Sequence, residues 1–177
     1  MNKIFYILLL GMFLSQVGMA KSKISVEEVI KTYFKNVSEV KTKSLILSAT
    51  QFKKVRNRAK TAMKTKVYRY YDIVSKGNSI GKALLMIRKV RTKKATVLYA
   101  FDKKGTLRFS EIFVFSEPPE FRPSNIWMSQ LQEQEPSANL TVGKDIPTIS
   151  GSTMSASSIT EGARVARAIY EIVLKNK

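Results

Sequence analysis

The sequence predicts an α+β protein: an antiparallel sheet of four or more strands, flanked by N-terminal and C-terminal helices. Two observations point to this class. Apolar residues recur at helical spacing near both ends of the chain, whereas strand formers dominate residues 67–115. The strand-like runs are short, and turns of a few residues separate them, which favours an antiparallel meander. A length of 177 residues suits one domain of common size and is too short for two well-buried ones.

The elements follow in order. Ser25-Val26-Glu27-Glu28 has the form of a capping box, and Val29, Ile30, Tyr33 and Phe34 continue it as an apolar stripe. A second helix is expected over 51–63. Phe52, Val55, Ala59 and Met63 fall on one face, and Lys53, Lys54, Arg56, Arg58 and Lys60 cover the other. Four strands are expected at 67–74, 83–90, 95–101 and 107–115, with a turn at Lys76-Gly77-Asn78. The last two strands are joined by Asp102-Lys103-Lys104-Gly105, where glycine can supply the positive φ of a tight turn. Pro118, Pro119 and Pro123 then end regular structure. Ser124 can cap a short helix holding Ile126, Trp127, Met128 and Leu131, and 135–148 reads as loop. Ser158-Ile159-Thr160-Glu161 is a second capping box, opening a helix with Ile159, Ala163, Ala166, Ile169, Tyr170 and Val173 on its buried face.

At the start of the chain, Lys3, the apolar run 4–14 and the small residues Gly18 and Ala20 before Lys21 form the pattern of a secretory signal over 1–20. The apolar run is short for a spanning helix, which needs about 20 residues. The organisation expected is therefore a signal peptide at 1–20, an N-terminal helical segment at 21–66, and the main domain at 67–177. Processing would leave an exported, periplasmic protein, with an N-terminal membrane anchor as the alternative.

The composition excludes several chemistries. With no Cys there are no disulfides, thiolate metal sites or Cys nucleophiles. With no His there is no Ser-His-Asp triad, and the commonest metal ligand and general base are gone. Net charge is +18, and the surplus lies in one stretch. Between Lys41 and Arg108 there are twenty Lys and Arg against only Asp72 and Asp102, while the rest of the chain has eleven of each sign. Such a field attracts anionic partners. It suits an acidic redox protein or an anionic membrane surface. Nucleic acid is disfavoured by export.

The densest chemical signal is Ser150-Gly151-Ser152-Thr153-Met154-Ser155-Ala156-Ser157-Ser158: five Ser and one Thr in nine residues, before a helix. Backbone N–H groups at a helix start and in a glycine turn favour a phosphate. A solvated Ser-rich linker is the alternative. Together with Ile159-Thr160-Glu161-Gly162-Ala163-Arg164, this stretch resembles the end of the FMN-binding domain family. That family includes the flavin-carrying subunits of the sodium-translocating NADH:quinone reductase and of the Rnf electron-transport complex. Its signature is Ser-Gly-Ala-Thr, any residue, then Thr or Ser, and in covalent members the FMN phosphate is esterified to that Thr. The position here is Thr153, with Ser150, Gly151, Ser152 and Ser155 around it.

The resemblance extends over about 67–174 and includes the Asp-Lys-Lys-Gly turn, Phe115-Ser116-Glu117-Pro118, Arg122 and the 127–132 segment, which look like the exported single-domain members. It implies that Glu117 and Pro118 face the flavin, where the alternative is an ordinary turn. It also implies a phosphothreonyl-FMN made from FAD by a separate, metal-dependent flavin transferase, and a role as redox carrier rather than self-standing enzyme. Two departures bear on covalent against non-covalent FMN: Ser152 replaces the family's Ala, and Pro147 replaces its Asp, with Asp145 two residues earlier. The alternative function is a basic envelope-binding protein for anionic lipid or polysaccharide with a degenerate flavin site.

Overall fold

The computed structural model describes residues 24–177, so the signal segment at 1–20 lies outside the described residues. Five strands form one antiparallel meander in the order β1-β2-β3-β4-β5. They are β1 (Glu39–Ile46), β2 (Val67–Ser75), β3 (Asn78–Lys89), β4 (Lys94–Asp102) and β5 (Leu107–Phe115). Helix α1 (Val26–Tyr33) precedes the sheet, α2 (Ala49–Ala59) connects β1 to β2, and α3 (Asn125–Ser129) and α4 (Thr153–Ile169) follow it. The last turn, Tyr170–Leu174, widens into π geometry.

Local chemistry accounts for most of these boundaries. The capping box at α1 forms as expected: the Ser25 hydroxyl accepts from the Glu28 N–H at 3.1 Å, and the Glu28 carboxylate accepts from the Ser25 N–H at 2.7 Å. Strands β2 and β3 meet in a two-residue hairpin, because Ser75 pairs with Asn78. Lys76 and Gly77 between them both have positive φ, as a right-twisted hairpin requires. At the β4–β5 turn the Asp102 carboxylate accepts from the N–H groups of Lys104, Gly105 and Thr106.

The sheet separates two cores. On one face Ile30 of α1 and Phe34 just after it pack on Tyr71, Ile73, Ala83, Leu98, Ala100 and Phe109. Tyr33 stacks on Phe109 with ring centroids 4.2 Å apart. The larger core lies on the opposite face, where α2, α3 and α4 cover Tyr70, Leu84, Met86, Val97, Tyr99 and Phe101. This is three layers, with α4 held centrally against the sheet. The Tyr99 hydroxyl donates to the Ile159 carbonyl at 2.7 Å, and Tyr170 donates to the Asp102 carbonyl at 2.7 Å.

Several boundaries differ from expectation. Strand β3 begins at Asn78, five residues before Ala83, because its pairing with β2 runs up to the Lys76-Gly77 turn. Helix α2 ends at Ala59 and not at Met63, because Lys60 turns left-handed and caps it. The segment 21–66 is not purely helical: β1 lies within it and pairs with β2 along its whole length, Glu39 with Val74 through Ile46 with Val67. Helix α2 begins two residues before Gln51, because Ser48 and Gln51 form a capping box of their own. Helix α4 begins at Thr153, five residues before the expected cap. Ser158 lies inside it and donates to the Lys89 carbonyl at 3.0 Å, so the Ser-x-x-Glu pattern is spent on packing against β3.

Candidate phosphate-binding helix start

Ile149 to Ser152 form a tight turn, closed by the Ser152 N–H on the Ile149 carbonyl at 3.0 Å. Gly151 sits at the third position with φ +74, and no atom lies within 4 Å of where its Cβ would be. The turn thus needs glycine for its backbone angle, not for close approach. Thr153 is the first residue of α4 and is exposed, its hydroxyl resting on the Ile149 carbonyl at 3.3 Å. Ser152 occupies the cap position but does not cap. Its hydroxyl turns away to the Glu120 carbonyl at 3.4 Å. Ser155 and Ala156 direct their N–H groups to the Ser152 carbonyl. The N–H groups of Thr153 and Met154 have no acceptor among the described residues. Two free donors at the positive end of a 17-residue helix, beside an exposed hydroxyl, suit a phosphate.

The other hydroxyls divide. Ser150 is exposed beside Gly151, whereas Ser155 is fully buried and its hydroxyl lacks a partner among the described residues. Ser155 therefore points into the protein, not toward a ligand on Thr153.

Glu117 is taken by the scaffold. One carboxylate oxygen accepts from the N–H groups of Arg91, Thr92 and Lys93 at 2.7–2.8 Å, and the other meets the Thr92 hydroxyl at 3.3 Å. The Lys93 N–H is the largest cause of a pKa held below the usual 4.5; burial opposes it, and the other donors add to it. Glu117 clamps the β3–β4 turn. Pro118 is exposed and leads into the 3-10 turn Pro119–Phe121.

These contacts join three segments. The turn held by Glu117 places the Arg91 guanidinium 4.0 Å above the Phe121 ring, and Glu120 next to Phe121 receives the Ser152 hydroxyl. The Glu-Pro loop, the β3–β4 turn and the start of α4 thus adjoin. Arg91 and Phe121, thirty residues apart, had no sequence pattern linking them. Pro147 also has a structural duty, since its carbonyl accepts from the Trp127 indole at 2.8 Å. Asp145 accepts from the Thr141 N–H at 3.0 Å within its own turn.

The donors and the exposed hydroxyl fit a phosphoester at Thr153. For the rest of a flavin, the adjoining apolar surface is Met154, which is 53% exposed, and the half-buried Phe121. Clefts of about 300 and 240 Å³ among the described residues are lined by other residues. Among the described residues no group of three or more acidic side chains could hold a metal ion, and no helix is long and apolar enough to cross a membrane. No protein-family model matches the chain, and no curated protein matches it.

Proposed function

We propose that this protein is an exported electron-transfer flavoprotein that carries FMN esterified through its phosphate to Thr153. One observation supports this above the others. Thr153 offers an exposed hydroxyl at the first position of α4, next to two backbone N–H groups that have no acceptor among the described residues. It does so within a Ser-Gly-Ser-Thr-Met-Ser sequence that resembles the family signature.

In the attachment step the Thr153 oxygen bonds to the FMN-side phosphorus of FAD, AMP leaves, and the hydroxyl proton passes to the transferase. FMN, once held, supplies the electron-transfer chemistry. The chain supplies position and field. The Thr153 and Met154 N–H groups and the α4 dipole favour the phosphate, the dipole contributing about 0.3–1 kcal/mol. The basic middle of the chain favours added electrons on a nearby ring. Its partners are a flavin transferase and an acidic or membrane-bound redox protein.

The test is Thr153→Val, which keeps the shape and removes the oxygen. Co-expressed with a flavin transferase, wild type runs as a fluorescent band on a denaturing gel and the variant does not. A fluorescent Val variant places the bond on a serine. A wild type that is dark on the gel but yellow when native holds FMN without a bond, with Pro147 the first residue to examine.

The second reading is a basic envelope-binding protein for anionic lipid or polysaccharide. It is favoured by Lys53, Lys54, Arg56 and Lys60, which stand exposed on and just after α2 without a carboxylate partner among the described residues. A colourless protein from its native host would favour it.

A further inference from the structure

A cleft of about 300 Å³ opens between the end of α2, the middle of α4 and the loop at 138–141. Its cations are Arg58, Lys60, Arg164 and Arg167, and Asn139 and Thr141 add neutral polar groups. Arg58 is spent on Glu171, meeting both carboxylate oxygens at 2.9 and 3.1 Å. The remaining three have no carboxylate within ion-pair distance among the described residues.

Arg167 makes this more than a solvated basic patch. It is 3% exposed, yet carries a guanidinium whose acceptors among the described residues are the Ala138 and Gln134 carbonyls, at 2.6 and 3.1 Å. Among the described residues its Nε has no partner, and neither has the buried Nε of Arg164. Burial lowers the Arg167 pKa to about 10, with Glu171 and Glu135 opposing and Arg58 adding, so it remains charged at neutral pH. A buried charge is normally paired, because desolvation otherwise destabilises it.

We propose that this cleft is a binding site for a phosphate-bearing small ligand, whose anion pairs with Lys60, Arg164 and Arg167, none of which has a carboxylate within ion-pair distance among the described residues. Guanidinium forks match phosphate oxygens in pairs, and Asn139 and Thr141 can bond the remainder of the ligand. The volume is at the lower end for small-molecule sites, which suits a compact phosphate ester and exceeds the need of a bare ion. The site is separate from Thr153. Arg164 lies eleven residues further along α4, about 16 Å at 1.5 Å per residue. It does not depend on FMN attachment.

The ester can be free or the headgroup of a lipid, and two arms distinguish these. Inorganic pyrophosphate is titrated into the mature chain at 0.15 M salt, and sedimentation is followed with vesicles containing phosphatidylglycerol. The cleft predicts saturable binding of pyrophosphate that depends on its own cations. Arg164→Gln weakens it by about tenfold or more, as expected for loss of a charge-assisted pair. Lys60→Asn also weakens it, and should fold because Lys60 has φ 49, a conformation that Asn tolerates. Lys54→Gln, which removes the same charge from the exposed face of α2, changes it less than twofold. Vesicle binding with the same Arg164 dependence assigns the ester to a headgroup, and its absence assigns it to a free ligand. Non-saturable binding, or an equal loss in Lys54→Gln and Arg164→Gln, overturns the site.

Discussion

Asp72 and Glu117 are enclosed carboxylates whose surroundings hold them charged. For Asp72, burial is the largest single effect and raises its pKa. Hydrogen bonds from Lys82 at 2.8 Å, Ser79 at 2.6 Å and Lys43 at 3.2 Å together outweigh it, so the value lies below the usual 3.8. A carboxylate with a depressed folded-state pKa stabilises the fold above its unfolded pKa, and this stability is lost as pH falls through the folded value. Asp72→Asn leaves the buried Lys82 uncompensated and should cost about 3–5 kcal/mol at pH 7. Denaturant melts from pH 7 to pH 2 should show wild type losing its advantage below about pH 4, with a flatter acid limb in the variant. The sequence marked Glu117 and Pro118 only by resemblance. It could not reveal that both Glu117 oxygens are consumed by a turn 24–26 residues away, because that pairing exists only once β3, β4 and β5 are aligned.

Helix α4 presents Thr153 to solvent and fills the larger core with its other face. Its approach to the sheet leaves no room at Gly162, where an added Cβ would lie 2.6 Å from the hydroxyl of the buried Tyr99. Gly162→Ala should therefore destabilise by about 1–3 kcal/mol, despite the better helix propensity of alanine. A thermal melt that rose instead would mean that Tyr99 moves aside readily. The capped helices and aromatic hairpins were legible because local signals set them. Strand β1 was not, for Lys41, Lys43 and Ser44 disguise an edge strand whose side chains are mostly exposed. The start of α4 was misread because serine disfavours helix interiors, and burial of Ser155, Ala156 and Ser158 against the core overrides that preference. The earlier cap of α2 was present as Ser48-Ala49-Thr50-Gln51, a pattern the apolar stripe overshadowed.

At the scale of the whole molecule, part of the basic stretch read from sequence becomes the exposed cations of α2, and its Arg58 and Lys60 meet Arg164 and Arg167 of α4 in the cleft beside it. The cleft was invisible beforehand because its residues come from positions 58–60, 138–141 and 164–167. If Lys53, Lys54, Arg56 and Lys60 steer an acidic redox partner, electron transfer should slow several-fold between 0.01 and 0.1 M salt, as screening shortens from about 30 to 10 Å. A salt-independent rate would reduce those side chains to a solvated face. The central claim, flavin on Thr153, is tested most directly by peptide mass spectrometry of the protein from its native host. The peptide containing Ser150 to Ser158 should carry the mass of one FMN less water, with fragmentation placing it on Thr153. That peptide found at its unmodified mass, or modified only on a serine, would contradict the claim.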